Sequence, residues 1–315
     1  MNAIGQAGPA LPGCRLLEVA DGVHAWVQPD GTWWINNAGC VAGGTSVLVV
    51  DTCTTERRTR AFLDAVTAAH PSRSLEFAVN THHHGDHTYG NSLLPGSTRL
   101  IGHENMRAGL LKDTTLGSFP GFWEPTPEFG DLTLRAPELT ISSGMSIHLG
   151  DRRIELLHPG YTAHTDGDVI VWIPDVRVVF TGDLLFPGHT PMIMVGSPSG
   201  AIDCLGWMAS LRPAVVVPGH GEVLDAAGFA ETLAEHERYY RFVLAESRRG
   251  LAEGLTPLGV ARSADLSDWT HLLDPERFVL NVHAAYAELN GVPVVRSAAL
   301  ADAVAWLGHP IVTRV

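Results

Sequence analysis

Thr81-His82-His83-His84-Gly85-Asp86-His87 decides the reading of this chain. The stretch follows Leu75-Glu76-Phe77-Ala78-Val79-Asn80, an apolar run that reads as a buried strand delivering the chain into the histidines. At a strand end, residues two apart face the same side, so His82 and His84 can grip one ion while His83 points elsewhere. Gly85 permits a sharp turn. Asp86 and His87 then fall near the start of the next helix, within reach of a second ion. Imidazoles beside a carboxylate suit zinc, with iron or manganese as alternative occupants. In a chain with 16 histidines, such a cluster taken alone is as readily polar surface.

Three further segments change that balance. His164 lies in HPGYTAHTDGD, Asp183 ends the apolar run VRVVFTGD, and His220 ends AVVVPGH. A metal site at the mouth of a sheet requires coordinating residues placed where buried strands stop, each beside a glycine.

Working outward, LLEVA, VHAWVQ, WWINNAGCVAG and SVLVVD read as a meander from residue 15 to 51. Thr54 or Thr55 caps a helix over residues 56–70 whose face carries Phe62, Leu63 and Val66. A short helical stretch, TRLIGH and a helix over 104–112 follow His87. Residues 117–137 are rich in Pro and Gly yet hold Phe119, Phe122, Trp123 and Phe129, more apolar than a passive linker. A second strand-rich passage comprises LTISSG, MSIHLG, RRIELLHPG, DVIVWIP and VRVVFTGD. Helix 200–211, AVVVPGH and a long charged helix over 226–249 complete it. Two such halves imply an α/β chain in which two sheets are covered by helices on both sides. Residues 255–315 read as helical, with Pro257 and Pro275 in first turns and a glycine stop after NVHAAYAELN. The expected organisation is a flexible tail at 1–14, a main domain at 15–250 and a helical extension at 251–315 packed upon it.

Composition narrows the partners. A net charge of -13 and only 21 scattered Lys and Arg argue against a nucleic-acid footprint, which needs clustered cations. No apolar run reaches the length of a membrane span, and the first residues lack the basic and apolar regions of an export signal. Four scattered cysteines, without a CxxC pair, read as reduced thiols. The expectation is a cytoplasmic protein acting on a small molecule, of undetermined oligomeric state, with a homodimer as one form.

HxHxDH followed by separate His, Asp and His at these spacings resembles the metallo-β-lactamase superfamily over about residues 15–225. The resemblance implies the αββα sandwich, with His82, His84 and His164 on one ion, Asp86, His87 and His220 on the other, and Asp183 bridging. Asp183 stands where the zinc β-lactamases of that family place a cysteine, which favours thioester, lactone or ester substrates over β-lactams. His84 is not the glutamate of the flavodiiron branch, so a redox role is disfavoured. A finer likeness rests on ADGVHAWVQPDGTWWINNAG, VVDTCTTERRTR, VNTHHHGDHTYGN, HPGYTAHTDGDV, VVPGHGEV, GLTPLGVAR and HLLDPERFVLNVHAAYAE. This set resembles the branch of aromatic polyketide cyclase/thioesterases of the actinorhodin type.

The chemistry implied is hydrolysis by a hydroxide generated between two divalent ions, Zn2+ first among them, since such ions bring the pKa of a shared water down to roughly 7. Asp86 and Asp183 are the expected catalytic carboxylates, Asp86 assisting proton transfer to the leaving group. The substrate would be an acyl-thioester or aromatic polyketide, presented by an acyl carrier protein, and ring closure could share the site. A broad lactonase, esterase or glyoxalase II-like thioesterase is the alternative, and an inactive metal-binding module a third reading. Trp33, Trp34, Phe119, Phe122, Trp123, Phe186 and Met192 are candidate walls for a flat substrate, against the ordinary role of aromatics as core. His189 either faces the site or is a loop residue. Asp51 either orients a ligand histidine or caps a turn. Thr165 and Asp166 favour loop hydrogen bonding over catalysis. His103 and His158 read as structural.

Overall fold

The computed structural model describes residues 11 and 13–315; most of the expected 1–14 tail lies outside the described residues. The first half runs β1 (Arg15–Ala20), β2 (Val23–Val27), β3 (Ala38–Gly43), β4 (Ser46–Val50), α1 (Glu56–Ala69), β5 (Ser74–Val79), α2 (Gly85–Thr88), β6 (Arg99–His103), α3 (Glu104–Leu110), β7 (Trp123–Glu124) and β8 (Leu139–Ile141). The second half begins with β9 (Gly144–Leu149), β10 (Arg152–Leu157), β11 (Ile170–Ile173), β12 (Val178–Gly182), α4 (Pro198–Ser210), β13 (Val215–Pro218) and β14 (Leu224–Asp225). It closes with α5 (Ala226–Glu253), α6 (Pro257–Ser263), α7 (Arg277–Asn290), α8 (Arg296–Leu307) and β15 (Ile311–Val312).

Among the described residues, one sheet is ordered β1-β2-β3-β4-β5-β6-β8 and the other β14-β13-β12-β11-β10-β9. Strand alternation divides the core into layers. On β4, Leu48 and Val50 face the other sheet, where Ile154, Leu156, Val171, Val178 and Phe180 meet them. Val47 and Val49 face the opposite way and pack under Phe62 and Val66 of α1. Burying each of those two helix side chains contributes on the order of 1.5–3 kcal/mol. The outer face of the second sheet, with Ile170, Trp172, Val179 and Val216, is covered by α4, α5 and α7. The architecture is the expected αββα sandwich.

Local chemistry sets the helix ends. The Thr55 side chain accepts the Arg58 N–H at the start of α1, Asp225 does the same for Gly228 in α5, and Gly254 and Gly291 close α5 and α7 with left-handed φ. Three details differ from expectation. Trp33 to Asn37 form no strand: the Asn36 amide donates to Thr52 O and the Asn37 amide to Pro218 O, so side chains tie this loop across both sheets. Pro275 precedes α7 by two residues instead of lying in its first turn, whereas Pro257 does open α6. Gly85 does not have a left-handed φ; a side chain is excluded because a Cβ there would lie 2.1 Å from the Tyr89 ring.

After α5, which runs on to Glu253, helices α6 and α7 pack against α5, α8 packs against α6 and α7, and β15 pairs with β7 in the Pro- and Gly-rich segment. That pairing brings the end of the chain to Trp123. No helix of the described residues is long and apolar enough to cross a membrane.

Candidate metal centre

The C-terminal ends of neighbouring strands converge at one edge of the sandwich. β4 delivers Asp51, β5 the 80–87 stretch, β12 Asp183 and β13 His220, while His164 comes from the loop between β10 and β11. The parallel pairing of β4 with β5 and of β12 with β13 puts these ends side by side. Gly219 must lack a side chain, since a Cβ would fall 2.0 Å from Asp183 Oδ1.

Two donor groups result: His82, His84, His164 and Asp183, and Asp86, His87, Asp183 and His220, each with donor atoms within 4.8 Å of one another. His84 Nδ1 lies 3.1 Å from His82 Nε2 and 3.0 Å from His164 Nε2. Asp183 turns Oδ2 toward His82 and His164, at 3.6 and 3.5 Å, and Oδ1 toward His87 Nε2 at 3.0 Å. His220 Nε2 is 3.2 Å from Asp86 Oδ2. His83, as expected, belongs to neither group.

The outer hydrogen bonds fix where the protons are. The Thr81 hydroxyl donates to Asp51 Oδ2, so His82 Nδ1–H donates to Thr81 Oγ1 and leaves its Nε2 lone pair inward. His164 Nδ1–H donates to Met192 O at 2.7 Å, His220 Nδ1–H to Gly31 O at 2.9 Å, and His87 Nδ1–H to Asp51 Oδ2 at 2.8 Å. Each of these leaves an inward lone pair on Nε2. In their neutral forms these imidazoles aim four lone pairs at two carboxylates, an arrangement that only added cations, whether protons or metal ions, can satisfy. The donor set fits divalent metal ions.

Electrostatics agree. Burial, reinforced by neighbouring imidazoles, holds His82 and His84 well below the usual histidine range; burial likewise lowers His164. They are neutral, as ligands must be. Burial would also lower His87 and His220, but facing carboxylates, Asp183 foremost, raise His87 well above its ordinary value and His220 to about 9. Burial opposes ionisation of Asp86 and Asp183, yet the adjacent imidazoles outweigh it and keep both carboxyls low. Without metal, protons on His87 and His220 supply the positive charge that the carboxylates demand.

Asp51 takes the orienting role: Oδ1 accepts the Thr81 N–H and Oδ2 both the Thr81 hydroxyl and His87 Nδ1–H. Thr165 donates its N–H and hydroxyl to Asp168, and Asp166 O accepts from Asn105, so both serve the loop. His103 stacks on His158 at 4.1 Å, consistent with structural roles.

A cavity of about 250 Å³ opens at the centre, lined by His84, Asp86 and His220 together with Trp33, Trp34, Trp123, Phe122 and Met192. Two expected wall residues do not line it, and neither does His189, whose place was left open. Phe119 backs the wall, packed on Trp34 and Trp123. Phe186 lies under the centre, stacked on His220 at 5.5 Å, because it follows Asp183 into the core. His189 is turned away, its ring nitrogens against Pro187 O and Asp30 O.

The sequence reading missed Tyr89, Asp113, Arg277 and Arg296, all of which line the cavity. Arg277, buried, sits over the Trp33 and Phe186 rings at 5.0 and 5.3 Å and pairs with Asp274 at 2.7 Å. Arg296, exposed at the start of α8, makes none of the described hydrogen bonds or ion pairs. Tyr89 was within sight, lying one helical turn beyond Asp86; the two arginines carried no local signal.

A family model described as the metallo-beta-lactamase superfamily matches residues 31–220, more than half of the chain. Hydroxyacylglutathione hydrolase of Brucella anthropi is 26% identical over 61% of this chain and 61% of its own. The 2,4-dinitroanisole O-demethylase subunit alpha of a Nocardioides species is 23% identical over 53% of this chain and 45% of its own. The chain therefore spans less than two thirds of these relatives' length. Among solved structures, the inverting sec-alkylsulfatase Pisa1 from a Pseudomonas species superposes with a TM-score of 0.68 at 18% identity, covering 90% of this chain and 51% of that one. At that identity the likeness concerns the fold alone.

Proposed function

Because the chain belongs to the metallo-beta-lactamase superfamily, we propose that it is a dinuclear metal-dependent hydrolase of acyl thioesters whose acyl group is flat and largely aromatic. The observation that carries this reading is one cavity of about 250 Å³ lined both by His84, Asp86 and His220 of the donor set and by the aromatic side chains of Trp33, Trp34, Phe122 and Trp123. Ions held by the seven donors would acidify a shared water and polarise the substrate carbonyl.

The chain's own residues supply the rest. The indole faces bind a flat acyl group through apolar contact and exclude bulk water from the scissile bond. Met192 O, Gly31 O and Asp51 hold the tautomers of His164, His220 and His87, so the donors need no rearrangement. Asp86, ionised at the cavity wall, can hold a proton on the carboxylate oxygen turned away from His220 and pass it to the leaving sulfur. Asp183, buried beneath, stays ionised and spans both donor groups.

An aromatic polyketide thioesterase, with ring closure at the same site and the substrate carried by an acyl carrier protein, is the specific form we propose. Its support is the set of motifs that resembles that branch, tail included, together with the aromatic wall. A second reading, a glyoxalase II-like thioesterase, is favoured by the hydroxyacylglutathione hydrolases among the relatives. Against it, the cavity offers, among the described residues, one unpaired cation, Arg296, for a tripeptide with two carboxylates, Arg277 being already paired.

The test is zinc-reconstituted protein assayed against aryl-acyl thioesters, S-acylglutathiones and aryl lactones, with His84→Ala and Asp183→Ala alongside. The expected result is at least tenfold higher kcat/KM for the aryl-acyl thioester and loss of all activity in both variants and after chelation. Full activity in either variant, with metal content measured, would sink the assignment of the centre. A preference for S-acylglutathiones would establish the second reading.

A further inference from the structure

We propose a third metal site, separate from the centre above, in which His24, Cys40 and His70 bind a thiophilic transition metal such as zinc. His24 on β2 and Cys40 on β3 are direct cross-strand partners, so their side chains emerge from the same face of the sheet. That face is the one α1 covers, and α1 ends in His70, which folds down as its C-cap residue. Strand register and helix length together bring three residues, far apart in sequence, to one point. One donor atom from each lies within 4.8 Å of the other two, and the two imidazole rings stand 5.0 Å apart at 83°.

The contacts inside this cluster are left unmade. His24 Nδ1 and His70 Nε2 are both buried without a hydrogen-bond partner. The Cys40 side chain is fully buried and its thiol free, burial pushing its pKa up to about 12. His70 itself is only 7% exposed. Buried polar nitrogens without partners cost roughly 1–3 kcal/mol each, so two of them in one cluster with a buried thiol call for a ligand that satisfies all three. Two imidazoles and a thiolate suit zinc, cobalt or copper(I) and exclude magnesium and calcium. A polar cleft lined by Glu18, His24, His70 and Arg73 reaches the cluster from solvent. Glu18 is the cross-strand partner of His24, but its carboxylate accepts the Gly22 N–H and lies outside the three grouped donors, so the fourth ligand is water.

Binding exchanges protons for metal. The ion displaces the Cys40 thiol proton to solvent and forms a metal–sulfur bond, with no change in oxidation state. One local contact opposes it. Arg73 Nη1 lies 3.0 Å from His70 Nδ1, and a guanidinium can only donate, so in the metal-free chain His70 carries its proton on Nε2. Metal capture requires Arg73, exposed on the loop after α1, to release Nδ1 so that the proton can move there.

Cobalt titration separates this site from the catalytic one, whose donors are all imidazole or carboxylate. Metal-free full-length protein titrated with Co2+ is expected to develop the near-ultraviolet thiolate-to-cobalt band. The band should vanish in Cys40→Ser and weaken at least tenfold in apparent affinity in His24→Gln, a half-buried position that spares the core. Arg73→Ala should strengthen it, and zinc content should fall by one ion per chain in Cys40→Ser with thioesterase activity unchanged. Absence of the band in folded wild-type protein at saturating cobalt overturns the proposal. So does its persistence in Cys40→Ser. Because the band reports sulfur ligation alone, its outcome is independent of whether the proposed hydrolysis is found.

Discussion

Asp51 Oδ2 stands 2.8 Å from His87 Nδ1, and the same carboxylate accepts both the N–H and the hydroxyl of Thr81. One buried acid thereby sets the proton position of His87 directly and, through Thr81 Oγ1, that of His82. Asp51 has φ 58, a left-handed conformation that Asn tolerates, so Asp51→Asn removes the charge with little backbone strain. It is expected to weaken the ion held by Asp86, His87 and His220 by about 10–100-fold, with a smaller effect on the other. Competition with a chelating dye reads both affinities. Equal, unchanged affinities would refute the orienting role.

Arg277 anchors Trp33 in the cavity lining from the tail. It lies over Trp33, its neighbour Glu276 accepts the Trp33 indole N–H, and its guanidinium pairs with Asp274. Arg277→Met leaves Asp274 without its cation in a buried setting, and the expected loss is about 3–5 kcal/mol of stability. Adding Asp274→Asn should restore part of it, as measured by denaturant midpoints of the single and double variants. Additive losses would show that the pair is not what holds the tail to Trp33.

Much of the centre was legible because its donors sit where strand alternation and strand ends put them. His82 and His84 share a side because they are two apart, and Asp183 and His220 stand out as polar residues closing apolar runs. Loops and long-range packing were less legible. The run Trp33-Trp34-Ile35 has strand composition, but amide side chains of Asn36 and Asn37 claim backbone carbonyls from both sheets and hold a loop. Phe186 and His189 follow Asp183 in sequence, yet the chain dives into the core and returns facing away. Arg277 and Arg296 reach the cavity only because α7 and α8 fold back over it, and helical periodicity does not state which neighbour a helix meets. His24, Cys40 and His70 were invisible as a group for the same reason.

Arg296 has a different role in the cavity from Arg277. It is exposed at the rim, unpaired among the described residues, and its charge helps to lower the pKa of His83 and His84. Under the proposed function, an unpaired cation lining an aromatic cavity would select substrates bearing an acidic group away from the scissile carbonyl. Arg296→Ala should raise KM about 3–10-fold for carboxylated aryl-acyl thioesters and leave kcat and the neutral analogues unchanged; that range corresponds to the modest worth of a solvent-exposed pair. An equal rise for neutral substrates would mean that the side chain shapes the wall and does not read charge.

His236 links acid sensitivity to the floor of the centre. On α5, its Nε2 accepts the Phe186 N–H at 2.9 Å, and complete burial pushes its pKa down to about 3. Phe186 in turn stacks on His220. In the unfolded chain His236 titrates near 6.5, so the unfolded state gains a proton below that pH while the fold does not. The stability associated with neutral His236 is fully present above about pH 6.5 and is lost as pH falls toward 3, at up to about 1.4 kcal/mol per pH unit. Acid also releases metal by protonating the ligands, so the effect is read as a difference between two proteins that share those ligands. His236→Gln keeps a carbonyl to accept the Phe186 N–H and cannot titrate. Its unfolding free energy, measured in urea from pH 7 to 5 in saturating zinc, should fall less steeply than that of the wild type. Parallel curves would show that His236 is not the group through which acid loosens Phe186 beneath the metal ligands.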